Sequence, residues 1–136
     1  MKSWTVETPK DLLPIIDAFE DEIKRLMKAA SMDFWQKVMI STPVDTGYAR
    51  YGWFISSHAP SNYLPPDGQK KYPMPQIQDH MDIRPYSIHE KLYVTSNVPY
   101  IGKLNSGSST QAPANFVEMA AAKVQNTIAT KAKSIK

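Results

Sequence analysis

The chain contains no cysteine, which excludes disulfides, thiolate metal sites and thiol nucleophiles and fits a reducing compartment. Glycine is scarce, five in 136 residues, and no glycine-rich phosphate loop is present. No window approaches the apolar length of a membrane span, and the N-terminus has no apolar run of the signal-peptide kind. The expectation is a soluble protein made in the cytoplasm, with no membrane partner. Charge of one sign is also lacking in bulk, since 16 Lys and Arg face 13 Asp and Glu. Residues 1–47 hold six basic and eight acidic residues, residues 48–111 six and four, and residues 112–136 four and one. A nucleic-acid binder concentrates basic residues on one face. Only the C-terminal segment leans that way, and Lys131, Lys133 and Lys136 there suit a solvated helix end whose dipole they complement.

What is present is enough for one domain over residues 1–136, with 42% apolar residues to build a core. From about Pro14 to Ile40, apolar residues at Leu12, Ile16, Phe19, Ile23, Leu26, Met27, Ala30, Phe34 and Val38 recur at steps of three and four. That spacing predicts one long amphipathic helix. Thr8, Pro9 and Asp11 read as a capped opening turn, with a second start near Pro14 and a stop at Ser41-Thr42-Pro43. Tyr48 to Ser57 alternates as a strand, and Ser87–His89 with Lys91–Ser96 predicts a strand pair or one longer strand. Six of the eleven prolines fall between residues 60 and 85, which show neither period. We expect this stretch to be a long loop inserted between two strands, projecting as a docking arm outside the core, the alternative being a mobile surface loop whose aromatics fold back on their own domain. Pro113 opens a second helix with Val117, Ala120, Ala121, Val124 and Ile128 as its apolar stripe. The order describes an α+β fold: a small antiparallel β-sheet packed against a long N-terminal helix and a C-terminal helix.

Catalytic signals are few. Asp45-Thr46-Gly47 resembles the active-site triplet of dimeric aspartic proteases, and Ile101-Gly102-Lys103 echoes their second motif. That triplet belongs in an all-β barrel, whereas here it follows a helix and a proline. The alternative is a structural turn in which Asp45 caps the following N–H groups and Gly47 takes a positive φ. His58, His80 and His89 lack metal-ligand spacing and are expected to be solvated. No nucleophile–base pattern occurs among Lys, Ser and Thr, so no catalytic residue, cofactor or metal is expected. Met32, Trp35 and Met39 lie outside the main stripe of the first helix. Tyr63, Leu64, Tyr72, Met74 and Ile77 stud the proline-rich stretch. Together they are the candidate subunit contacts.

Two passages carry a resemblance. Thr42-Pro43-Val44-Asp45-Thr46-Gly47-Tyr48-Ala49-Arg50, with Trp53 opening a strand, resembles the "P-V-D-T-G-x-L-R-x-S-W" passage of tailed-phage tail-completion proteins. Val94 to Tyr100, Gly107 and Gln111-Ala112-Pro113-Ala114 resemble their "N-x-V-P-Y-A…L-E-x-G…A-P" passage, and the order of elements agrees. The resemblance implies a virion protein at the head–tail junction, of the tail-completion, tail-terminator or neck kind. Its partners would be copies of itself in a ring, six-fold by analogy, together with tail-tube and head-connector proteins. DNA would pass through the channel with backbone-only, non-specific contacts. The alternative class is a small basic nucleic-acid-binding or adaptor module working through the C-terminal helix.

Overall fold

The computed structural model describes residues 2–10 and 16–133. Asp11, Leu12 and Pro14, the side chains of Ile16 and Asp17, and Lys136 lie outside what is described. The chain is α+β, with four strands and two long helices among the described residues. A first strand, β1 (Lys2–Val6), precedes the long helix α1 (Ile16–Ser41). Helical geometry breaks once inside α1, at Phe19. The expected stripe is buried at Ile23, Met27, Ala30, Phe34 and Val38, and Trp35 and Met39 are buried beside it. The Thr8 hydroxyl donates to the Ile88 carbonyl at 2.7 Å, tying the end of β1 to the turn before the last strand, and the expected opening turn after it runs into residues outside those described.

Where the sequence predicts a strand from Tyr48, the structure has a single helical turn, α2 (Tyr48–Tyr51), and strand β2 runs only from Trp53 to Ser57. A two-residue strand, β3 (Met81–Asp82), follows, then β4 (Leu92–Ser96), the short helix α3 (Ile101–Asn105) and helix α4 (Phe116–Ala132). The segment at Ser87–Glu90 is a turn rather than a strand, closed by Glu90 N–H on the Ser87 carbonyl at 3.0 Å.

The sheet order is β1-β4-β2-β3. Its first three strands are antiparallel, as expected, whereas β3 pairs parallel to β2 through Ile55–Met81 and Ser56–Asp82. The register places Trp4 opposite Val94, Val94 opposite Ile55, and Ser96 opposite Trp53, so one sheet face carries Trp4, Val6, Trp53, Ile55, Leu92 and Val94. Strand residues two apart share a face, and this one is apolar enough to receive α1. α1 lies against β2 and β4, and α4 packs mainly along α1. Val117, Ala120, Val124 and Ile128 of α4 are buried as expected, joined by Phe116 and Ala132.

The stop of α1 is also the centre of a buried polar network. The Thr42 hydroxyl donates to the Val38 carbonyl at 2.6 Å and accepts from Trp53 Nε1 at 2.8 Å. The Trp53 carbonyl in turn accepts from Trp35 Nε1 at 2.9 Å. These bonds fix where the helix ends relative to the strand that follows, which sets the position of every residue between them. Each indole N–H is satisfied, as a buried donor must be.

The proline-rich stretch is not a projecting arm. It lies against its own domain, with Pro65, Tyr72, Pro75 and His80 buried. Tyr63 stacks on Phe54 of β2 at 5.2 Å, and the Asn97 side-chain amide donates to the carbonyls of Ser61 and Tyr63. Its six prolines have no N–H to give a ladder, yet Ile55 N–H finds the His80 carbonyl at 2.8 Å, and a single turn of 3-10 helix at Ile77–Asp79 precedes β3. The stretch extends the core on the β2 edge.

Candidate functional site

The passage between α1 and β2 is held from three directions. Pro43 is buried behind the Thr42 network. Val44 is clamped by one side chain: its N–H donates to Gln111 Oε1 at 2.8 Å and its carbonyl accepts from Gln111 Nε2 at 2.9 Å. The Thr46 carbonyl accepts from Tyr72 N–H at 2.8 Å, and the Gly47 carbonyl from Tyr51 N–H at 2.9 Å. Gly47 has φ +90°, and a Cβ there would sit 3.2 Å from the Tyr72 carbonyl oxygen. Asp45, Thr46 and Gly47 therefore form a turn, but Asp45 does not cap it. Its carboxylate is exposed, and the side-chain bond comes from Thr46, whose Oγ1 accepts from Tyr48 N–H at 3.2 Å. Arg50, at the end of the passage, has its Nε buried without a hydrogen-bond partner.

Gly47→Val is thus expected to cost about 1–3 kcal/mol, because a β-branched residue is forced into a left-handed backbone against a carbonyl. Asp45→Ala is expected to stay within roughly 0.5 kcal/mol, as an exposed substitution that loses no partner. Denaturant titration of both variants checks the ranking; an Asp45→Ala loss as large as that of Gly47→Val would contradict it.

The second passage meets the first. Val98 packs so closely on Gly52 that a Cβ at Gly52 would lie 2.6 Å from Val98 Cγ2. After Val98 the chain turns into α3, which the sequence does not announce, and Asn105 at its end organises the start of α4. Its Oδ1 accepts from Val117 N–H at 3.0 Å, its Nδ2 donates to both Glu118 carboxylate oxygens at 2.9 Å, and its carbonyl accepts from Asn115 N–H at 2.6 Å. α4 is capped from a distance by Asn105, three residues later than Pro113 suggests.

Around this junction lie grooves that share residues. One, of about 660 Å³, runs between α1 and the proline-rich stretch and is lined by Met32, Trp35, Met39, Ile40, Met74 and Ile77 among others. A second, of about 480 Å³, runs between the end of α1 and the start of α4, where Ile40, Pro43, Phe116 and Met119 meet Lys37 and Lys123. Ile40 lines both. A third links Pro43, Val44 and Gln111 to Tyr100. A fourth, of about 460 Å³, is lined by Asp45, Tyr48, Asp67, Lys70, Tyr72 and Tyr100. Burial pushes the Tyr48 and Tyr100 phenols above their ordinary value. The Asp67 carboxylate adds to this at both, and Asp45 at Tyr100.

Of the candidate subunit contacts, Trp35, Met39 and Tyr72 are each at most 5% exposed and belong to the chain's own core. Met32, Tyr63 and Ile77 are half-buried. Leu64 and Met74 stand free at 47% and 52%, and so do three residues the sequence reading passed over: Ile40 at 62%, Met119 at 48% and Tyr100 at 42%. For Ile40 and Met119 the signal was present, as large apolar residues off the stripe of their own helix.

The protease alternative would need Asp45 of two copies to meet within strands of a β-barrel. Asp45 precedes a helical turn, and Ile101-Gly102-Lys103 is helical. Among the described residues no three His, Asp or Glu side chains converge on a common point, and no helix is long and apolar enough to cross a membrane. His58 and His89 are exposed, but His80 is buried, correcting the expectation of a solvated imidazole. It sits among Trp35, Tyr51, Phe54 and Tyr63 rings, and its Nδ1 lies 3.1 Å from the Trp53 carbonyl. A carbonyl only accepts, so Nδ1 carries the proton.

Burial pushes the His80 pKa below its ordinary value of 6.5. The unfolded chain then takes up the proton first as pH falls, so stability is full above about 6.5 and declines as pH drops toward the folded-state value. His80→Phe should flatten that decline in unfolding midpoints measured from pH 7.5 to 5. An unchanged slope would contradict the assignment. Comparison of the chain with family models, curated proteins and solved structures finds no match.

Proposed function

We propose that the chain is a non-enzymatic structural subunit of a tailed-phage virion, acting at the head–tail junction by assembling with copies of itself and with tail and connector proteins. The observation that carries this is the junction of the two passages whose order resembles tail-completion proteins. They lie more than forty residues apart in sequence, yet Gln111 clamps Val44, and Val98 fills the space Gly52 leaves open. The two passages form one continuous structure. Exposed Ile40, Leu64, Met74, Tyr100 and Met119 beside it supply the apolar surface that an assembling subunit needs.

The test is an assembly reaction from which this chain is withheld. DNA-filled heads and finished tails should then accumulate unjoined, and adding the purified chain should join them. Normal joining without it would overturn the proposal. The nucleic-acid-binding alternative has less behind it, because α4 presents Gln125, Asn126, Thr127 and Thr130 to solvent along with its few lysines.

A further inference from the structure

Two surfaces of this chain differ in composition and charge, and each supplies what the other lacks. The first is the groove between the end of α1 and the start of α4, where Ile40, Phe116 and Met119 form an apolar floor and rim. Its cations are Lys37, bridged to Asp33 at 2.6 Å, and Lys123, which forms no ion pair among the described residues. The second is the face on either side of Val98-Pro99, where Leu64 and Tyr100 are exposed. Leu64 belongs to it because its neighbours are anchored there: Asn97 holds the Tyr63 carbonyl, and Pro65 packs near Gly52 beside Val98. Tyr100 belongs to it by sequence and shares its cleft with Asp45, Asp67 and Lys70, and neither carboxylate has an ion-pair partner among the described residues.

From these we infer that the chain associates head to tail with a second copy, Leu64 of one copy seating in the groove between Ile40 and Met119 of the next, with the Asp45–Asp67 rim against Lys123. The inference rests on the assembly reading above and names the contact through which it works. The occupant is a second copy because the groove sets apolar residues beside Lys123, and the Leu64–Tyr100 face sets an exposed leucine beside two carboxylates, Asp45 and Asp67, that outnumber the one lysine of their cleft, Lys70. A nucleic acid would bring phosphates and no apolar tip. The contact is heterologous, since the two surfaces are different parts of the chain. It leaves one free groove and one free Leu64 face at the ends of any open string, so growth stops where the rotation between copies closes a ring and otherwise continues as a filament.

The absence of cysteine makes the test clean, because every thiol cross-link reports an engineered position. Leu64→Cys and Met119→Cys are made singly and together in the full chain and treated with a short bis-maleimide. The double variant should give a ladder of dimers, trimers and higher species. An equal mixture of the two single variants should stop at a dimer, and neither single variant alone should cross-link. Adding Lys123→Glu to the Met119→Cys chain should lower the dimer yield in the mixture roughly two- to fivefold at low salt, the worth of a rim ion pair. Cross-linking within either single variant would mean that like surfaces meet, and would overturn the inference. So would a double variant that assembles into particles without cross-linking, although the assembly reading would survive that result. A chain that neither cross-links nor assembles would end both.

Discussion

Trp53→Ala is expected to lower the unfolding free energy by about 3–5 kcal/mol, the range for truncating a fully buried large aromatic. Trp53 is 0% exposed, its ring packs on Trp4 at 5.4 Å, and its indole N–H is the donor that holds the Thr42 hydroxyl where α1 ends. Truncation opens a cavity between α1 and the sheet and also removes that donor from the Thr42 network. Domains of this size have a total stability of roughly 5–15 kcal/mol, so the variant would sit near the threshold of folding. Trp53→Phe keeps most of the volume and should lose clearly less. Urea unfolding of the three proteins measures the difference, and a Trp53→Ala loss below about 1 kcal/mol would show that the site collapses without cost or that the packing is otherwise.

Replacement of residues 62–82 by a short glycine linker should abolish folding. A stretch that merely projected would leave a soluble, folded remainder when deleted. Here it contributes Tyr72 and His80 to the interior, the edge strand β3, and the backbone bonds from Tyr72 N–H to Thr46 and from Ile55 N–H to the His80 carbonyl. Its loss would strip one edge of β2 and uncover the side of Trp35 that faces His80. Tyr72→Ala alone is expected to cost about 3 kcal/mol by the same cavity argument. Circular dichroism and hydrogen exchange of the deletion variant decide the matter. A remainder with native helix content and a cooperative melt would return the stretch to the status of an arm.

Periodicity revealed the elements that are long and one-sided. The stripe from Ile23 to Val38 and the stripe from Val117 to Ile128 each follow one face, and both are buried apart from the half-buried Leu26 and Ala121. Proline and glycine marked the stop at Pro43 and the left-handed turn at Gly47. What pattern could not reveal depends on residues distant in sequence. β1 is recognisable as a strand only once β4 pairs with it, and β3 is two residues long. The start of α4 is set by Asn105, ten residues before its first cap position, so a search for a local cap stops at Pro113. Composition misled in the proline-rich stretch. Proline does exclude a sheet interior there, but it does not prevent Tyr72 and His80 from packing inward. The Met32–Trp35–Met39 group likewise divides by depth, with only Met32 left partly open.

The central claim is that this chain works as an assembled subunit, and native mass measurement tests it most directly. The purified chain, of 15.4 kDa, would be weighed alone and after mixing with tail-tube or head-connector protein. A closed species at an integral multiple of the subunit mass, six by analogy with the family the two passages resemble, is the expected result in at least one of these conditions. A mass that stays at that of one chain in all of them would contradict the claim.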